Sequence, residues 1–324
     1  MEIGKIIPGM GGGKPDVLVL GEVLVELTAP VALREADTLR LSCSGDALNA
    51  AAAAAAGGAS VALVSVVGDD ELGERILEFA GARGIDTTYV RRDAEPNGVY
   101  FAGAGGEFVY ARRGSAGSTL GPDDVARAPL REAGAVVVSG ITQALSETCA
   151  AAVDAAVSTA GGHVVYDPNF RAQLTSAAAA RAALERVAPH AALVTPSCPD
   201  DTRPLLGTSD PYVAGARLRE LGAAAVAVTL GGRGLHVDAG GEPLHLPPEA
   251  PPRIVDATGA GDVLAGTTAA RLALGDELLE ALRHATTAAA RSLAGPGGTG
   301  WLPKLRPWMS SSRTTRPWSP SSSH

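Results

Sequence analysis

The sequence predicts an α/β protein with a mostly parallel central sheet covered by helices on both faces, and with a small β-sheet standing off it. Three observations carry that expectation. Short runs dominated by apolar, β-branched residues alternate with longer stretches of helical periodicity; strands with no wet face read as near-continuous apolar runs. The chain has 324 residues, 46% of them hydrophobic, enough for one large core. Two stretches, 26–43 and 88–111, break the alternation: they are β-like and lack a helical period.

In order, Asp16–Leu20 (DVLVL) is the first buried strand. Helix 47–56 precedes strand 61–67, and Glu71–Ala82 has the apolar stripe of an amphipathic helix. Then follow strand 135–139, helix 146–160, strand 163–166, helix 177–187 and strand 192–195. Helix 213–221, strand 225–229 and helices 262–274 and 278–293 complete the series. In the second irregular stretch, Val99–Phe101 and Phe108–Ala111 flank the glycine-rich turn 103–106. A small sheet there would suit a lid over a cleft. The expected domain spans 16–307. Residues 308–324, rich in Ser, Pro and Arg without periodicity, read as a disordered tail.

Composition narrows the chemistry. A net charge of −8 disfavours nucleic acid as the main partner, because phosphate backbones need a basic face. No stretch approaches the ~20 strongly apolar residues of a membrane span. The amino terminus lacks the basic-then-apolar order of a secretory signal. Cys43, Cys149 and Cys198 lack metal or disulfide spacing, so the expected location is the cytoplasm. An acidic protein that binds an anion must do so locally, with backbone amides and a few arginines.

Such a place is Asp256-Ala257-Thr258-Gly259-Ala260-Gly261-Asp262, running into the helical pattern VLAGTTAARLAL. A small-residue turn entering a helix leaves amide N–H groups unpaired, and with the helix dipole they attract an anion. A carboxylate beside that anion makes sense if Asp262 takes a proton from an attacking hydroxyl while the amides hold a transferring phosphoryl group. The competing reading is that Asp262 merely caps the helix. Gly45-Asp46-Ala47-Leu48-Asn49 also precedes a helix: it could offer close backbone approach and hydroxyl-binding groups, or simply a turn with Asp46 as N-cap. The Walker A pattern is absent, and the glycine run 9–13 precedes its strand, so neither a P-loop nor a dinucleotide fingerprint is present. His163, His190 and His284 fall within strands or helices and read as structural.

DATGAGD resembles the C-terminal signature of the ribokinase-like (PfkB) sugar kinases. Ser44–Asn49, Gly58 and Val67-Gly68-Asp69-Asp70-Glu71-Leu72-Gly73 resemble the N-terminal one. The likeness spans roughly Val17 to Pro303. It implies a ribokinase-like three-layer α/β/α fold and a magnesium-dependent transfer from ATP. In that scheme Asp262 is the base, and Gly259, Ala260 and Gly261 form the anion hole. It leaves a monovalent cation requirement open. Thr229-Leu230-Gly231-Gly232-Arg233-Gly234 resembles the family's TLGxxG nucleotide segment. Asp167-Pro168-Asn169-Phe170-Arg171 and Tyr110-Ala111-Arg112, followed by Gly114-Ser115-Ala116, resemble the 2-keto-3-deoxygluconate kinase branch. There Tyr110, Arg112 and Arg171 would meet a sugar acid, and Asn169 and Arg171 the nucleotide. Tyr100, on the neighbouring lid strand, either joins them or packs the lid.

Some positions depart from the pattern. Ser44 stands where the first of two glycines is usual, and Glu26 where an Asp often meets sugar hydroxyls. Ser197 and Asp200 occupy the NxxE segment that organises magnesium; Asp200 is the remaining candidate metal ligand, through water. The reading is therefore a sugar-acid kinase. A kinase for fructose, ribose or adenosine and a weakly catalytic sugar-acid sensor are the alternatives. An exposed lid sheet invites homo-oligomers.

Overall fold

The computed structural model describes residues 14–104 and 106–302. The glycine run 9–13 and the tail 308–324 lie outside the described residues. In chain order the first strands are β1 (Val17–Leu20), β2 (Leu24–Thr28), β3 (Arg40–Ser44), β4 (Val61–Gly68), β5 (Ile85–Asp86), β6 (Val90–Asp93), β7 (Gly98–Ala102) and β8 (Phe108–Ala111). The later ones are β9 (Ala135–Ser139), β10 (His163–Asp167), β11 (Leu193–Val194), β12 (Val226–Thr229), β13 (Leu235–Asp238) and β14 (Leu244–Leu246). The helices are α1 (Asp46–Ala56), α2 (Glu71–Gly81), α3 (Pro122–Ala126), α4 (Gly140–Leu145), α5 (Glu147–Thr159), α6 (Ala177–Val187), α7 (Thr202–Leu206), α8 (Pro211–Glu220), α9 (Ala260–Ala273) and α10 (Leu278–Ser292).

Among the described residues the large sheet has ten strands in the order β14-β13-β12-β11-β10-β9-β1-β4-β5, with β6 also on β4. It is parallel from β12 to β5, and the β13–β14 hairpin extends it antiparallel. Side-chain alternation splits β1 between two cores. Val17 and Val19 pack with α1, α2, α9 and α10; Leu18 and Leu20 pack with α3, α5, α6, α7 and α8. The strands on either side of β1 are β4 and β9, so the strand order reverses there. A crevice opens at the carboxyl ends beside such a reversal.

The second sheet has the order β3-β2-β7-β8. Tyr100 lies directly opposite Tyr110 across the β7–β8 hairpin, as the alternation required. Two expectations change. Residues 90–93 belong to the large sheet, as β6 along β4, and not to the small one. Arg91 ties this strand down through Asp93 and Asp124 (2.8 Å to the latter). The β13–β14 hairpin was not anticipated, because LHVD and LHL are too short and too polar to announce themselves.

Candidate active site

The small sheet and the carboxyl ends of the large sheet wall a cleft of about 590 Å³. Asp262 lies at its floor, within the first turn of α9, which begins two residues earlier than the pattern suggested. The N-cap is Gly259, in the left-handed region (φ 79°), and no side chain caps the helix. A Cβ at Gly259 would come within 2.7 Å of the Gly298 backbone, so this turn needs glycine twice over. Ala260 N–H turns back to the Ala257 carbonyl (3.3 Å). Of the expected Gly259–Gly261 amides, that of Ala260 is therefore turned back into the loop, and the Gly261 and Asp262 amides precede the first bond of the helix ladder, from Val263 to Gly259 (2.9 Å).

The Asp262 carboxylate is not a cap. It accepts from Asn49 Nδ2 (2.9 Å) and from Asn169 Nδ2 (3.3 Å). Burial, with the Asp46 charge nearby, pushes its pKa up to about 7 against the pull of Asn49, Arg171 and Asn169. Asn169 holds its position at φ 42°, the one left-handed non-glycine among the described residues, a conformation Asn tolerates better than most. Asp256 is structural. Burial raises its carboxyl, but the amides of Thr258, Gly297 and Ala257 outweigh this and hold it below the usual range.

In the Gly45–Asn49 segment, Gly45, Asp46 and Asn49 line the cleft. Asp46 is the first helical residue, not the cap; its carboxylate, raised by burial, accepts from the Ser139 hydroxyl. Ala47 and Leu48 point into the core, Leu48 being fully buried, because the first turn of α1 must cover the sheet. They are removed from the substrate candidates. The second half of the N-terminal signature is also architectural: Asp70 caps α2 through Leu72 and Gly73 and accepts from Asn97.

Arg112 and Tyr110 line the cleft, and the guanidinium lies 4.4 Å over the Tyr110 ring. Arg112 is also 6% exposed and donates to Glu22 Oε2 at 2.7 Å, and Glu22 is 1% exposed. Burial raises Glu22 to about 7 against the Arg112 charge, with Asp46 adding to the rise. Glu22 escaped the sequence reading, although an acid two residues past a buried strand was the available signal. Tyr100 lines the cleft, with its hydroxyl donating to Glu26.

Arg171 lines the cleft exposed, donating to the Phe170 carbonyl. Asp200 sits exposed at the rim, while Ser197 is committed to Asp201 through its amide (2.7 Å) and hydroxyl (2.6 Å). Asp201 also receives the Phe170 amide (2.7 Å). Asp167, beside Asp201 and Asp262, is raised by burial and by both neighbours. Thr229–Gly234 do not line the cleft; they form the turn from β12 to β13. Gly234 is needed there because a Cβ would meet the Leu246 carbonyl at 2.1 Å, whereas Gly231 and Gly232 face open space. Among the described residues no helix is long and apolar enough to cross a membrane, and no group of three or more His, Cys, Asp or Glu could hold a metal.

A glycine-started helix with an uncapped end and a free carboxylate, at a strand-order reversal, has the features that binding and transfer of a phosphoryl group require. The family model "pfkB family carbohydrate kinase" matches residues 14–305. The chain belongs to the PfkB family of carbohydrate kinases. As such it is a phosphotransferase with an alcohol group as acceptor, on the ribokinase-like fold. A 2-dehydro-3-deoxygluconokinase of Thermoproteus tenax is 36% identical over 300 residues, covering 90% of this chain and 92% of the relative. A 2-dehydro-3-deoxygalactonokinase of Haloferax volcanii is 30% identical over 288 residues, covering 85% and 90%. The crystal structure of a putative ribokinase II from E. coli with ATP and Mg²⁺ superposes with a TM-score of 0.80 at 25% identity, covering 89% of this chain and 96% of that one.

Proposed function

We propose that this PfkB kinase phosphorylates 2-keto-3-deoxygluconate or a close sugar acid at its terminal hydroxyl, using ATP, with Asp262 as the general base. The observation that carries the base assignment is the Asp262 carboxylate itself: it caps nothing, and burial lifts it to about 7, where a base both exists and accepts a proton well. The substrate oxygen attacks the γ-phosphorus in line, its proton passes to Asp262, and the bond to the β–γ bridging oxygen breaks to release ADP. The amides of Gly261 and Asp262, with Arg171, face the charge that develops.

Magnesium would accompany the nucleotide. Asp200, exposed at the rim, would hold it through water, and the cation would neutralise phosphate charge. Thr229–Gly234, adjoining Ser197 through the Cys198–Thr229 backbone bond (2.9 Å), would support the nucleotide from outside the cleft described. The small sheet would serve as the lid.

The sugar-acid assignment is supported by the two relatives and by Arg112, a cation under the inner face of the small sheet. One observation favours a neutral sugar instead: Arg112 already has a carboxylate partner in Glu22. ATP consumption with Mg²⁺ against 2-keto-3-deoxygluconate, fructose, ribose and adenosine, with Asp262→Asn as control, decides between them. Turnover confined to the sugar acid and lost in the variant supports the proposal. Turnover on fructose or ribose alone replaces the substrate, and an active variant removes the base.

A further inference from the structure

A line of polar contacts leads from Asp262 along the wall of the cleft and into the small sheet. Asn49, whose Nδ2 serves Asp262, accepts at Oδ1 from the Ser44 hydroxyl (3.3 Å). The same hydroxyl lies 3.3 Å from the Tyr100 hydroxyl, which donates to Glu26. Glu26, Tyr100, Ser44 and Asn49 are each more than nine-tenths buried, and Ser44, Asn49 and Tyr100 border the cleft.

We propose that Ser44 is a positioning residue, whose hydroxyl couples the seating of Tyr100 in the small sheet to the orientation of the Asn49 amide and hence of the Asp262 carboxylate. The inference rests on Asp262 being the base. An ionised carboxylate only accepts, so Asn49 must turn its N–H toward it; the flipped amide would set oxygen against oxygen. Backbone packing fixes where the amide lies. A Cβ at Gly298 would come within 2.3 Å of Asn49 Nδ2, and one at Gly259 within 3.0 Å. What the backbone leaves open the carboxylate decides, and the Ser44 proton on Oδ1 holds the amide in that orientation.

That proton is contested: Asn49 Oδ1 accepts it at 3.3 Å, and the Glu26 carboxylate, to which Tyr100 also donates, draws on Ser44 as well. A shift of the small sheet that moves Tyr100 therefore changes how firmly Ser44 holds Asn49. A glycine at position 44 would make no such link.

The test is the pH dependence of kcat in Ser44→Ala, Tyr100→Phe and the double variant. Ser44→Ala is expected to lower kcat about tenfold while KM for ATP stays within about twofold. The midpoint of its profile should rise by about half a unit, since a firm amide N–H favours the ionised base. Ser44→Cys, of similar shape and a weaker donor, should fall between. Tyr100→Phe, which leaves Glu26 short of a donor and draws the Ser44 proton to it, should move the midpoint the same way, and this effect should vanish in the double variant.

The charged groups facing Asp262 are Asp46 on α1, Asp167 at the end of β10 and Arg171; those facing Glu26 are Asp256 and Arg40. None is changed in these variants. A wild-type midpoint in Ser44→Ala, or a Tyr100→Phe shift that persists without Ser44, overturns the proposal. If Asp262→Asn is inactive while Ser44→Ala titrates as wild type, only the Ser44 link fails; if Asp262→Asn turns over, the base assignment fails first.

Discussion

At the scale of single residues, the site holds acids where water is scarce. Asp262 has a folded pKa of about 7 against an ordinary 3.8, so its ionised form is disfavoured by folding. The resulting stability cost is absent below the unfolded pKa and fully present above about pH 7. As the base it must be ionised, so kcat/KM should fall with acidification through a midpoint near 7, measured by initial rates at low substrate. Asp262→Asn should abolish most turnover yet raise stability at pH 8 by about 1–2 kcal/mol in denaturant titration, a gain reduced by the donor–donor contact Asn would make. Glu22 and Arg112 make the reverse case. Glu22→Gln leaves a buried guanidinium without its counter-charge and should cost about 2–3 kcal/mol. Excess 2-keto-3-deoxygluconate should recover part of that loss in a thermal melt, and an equal shift with ribose would argue against carboxylate recognition.

At the scale of elements, the start of α9 is the decisive joint. Its backbone enters the helix through a left-handed glycine pressed against residue 298, which sets the first turn of the helix at the cleft. Gly259→Ala meets both the steric contact and the positive φ. It should destabilise the fold by about 1–2 kcal/mol and reduce kcat by about a hundredfold or more, while circular dichroism stays native. The sequence showed this turn plainly, since two glycines before an acid and a helical run have few other uses. It did not show which amides stay free, because that depends on Ala260 bonding back to Ala257. Nor did it separate Asp46 and Asn49 from Ala47 and Leu48 within one short segment, since a helix rotates each successive residue by about 100° and only the packing partner says which face is wet.

At the scale of the whole molecule, two sheets meet over one cleft, and the smaller is the more exposed. Phe108 (45% exposed), Val109 (54%) and the open edge of β8 present apolar surface and unpaired backbone to solvent. We expect a second copy to cover them. Sedimentation should give a dimer that Val109→Asp shifts toward monomer; a wild-type monomer at micromolar concentration would end that expectation.

The sequence by itself determined the α/β class, the order of the main strands and helices, and the two signatures that bring Asp262 and Asn49 into view. Those properties rest on local periodicity and on glycine chemistry, which a linear pattern records. The tertiary structure alone decided which groups each functional side chain meets. It paired Arg112 with Glu22, Ser197 with Asp201 and Tyr100 with Glu26, and moved residues 90–93 into the large sheet. Contacts across 90, 74 or even 4 residues of chain leave no periodic mark. They arise because buried charges and hydroxyls must find partners wherever the fold has put them.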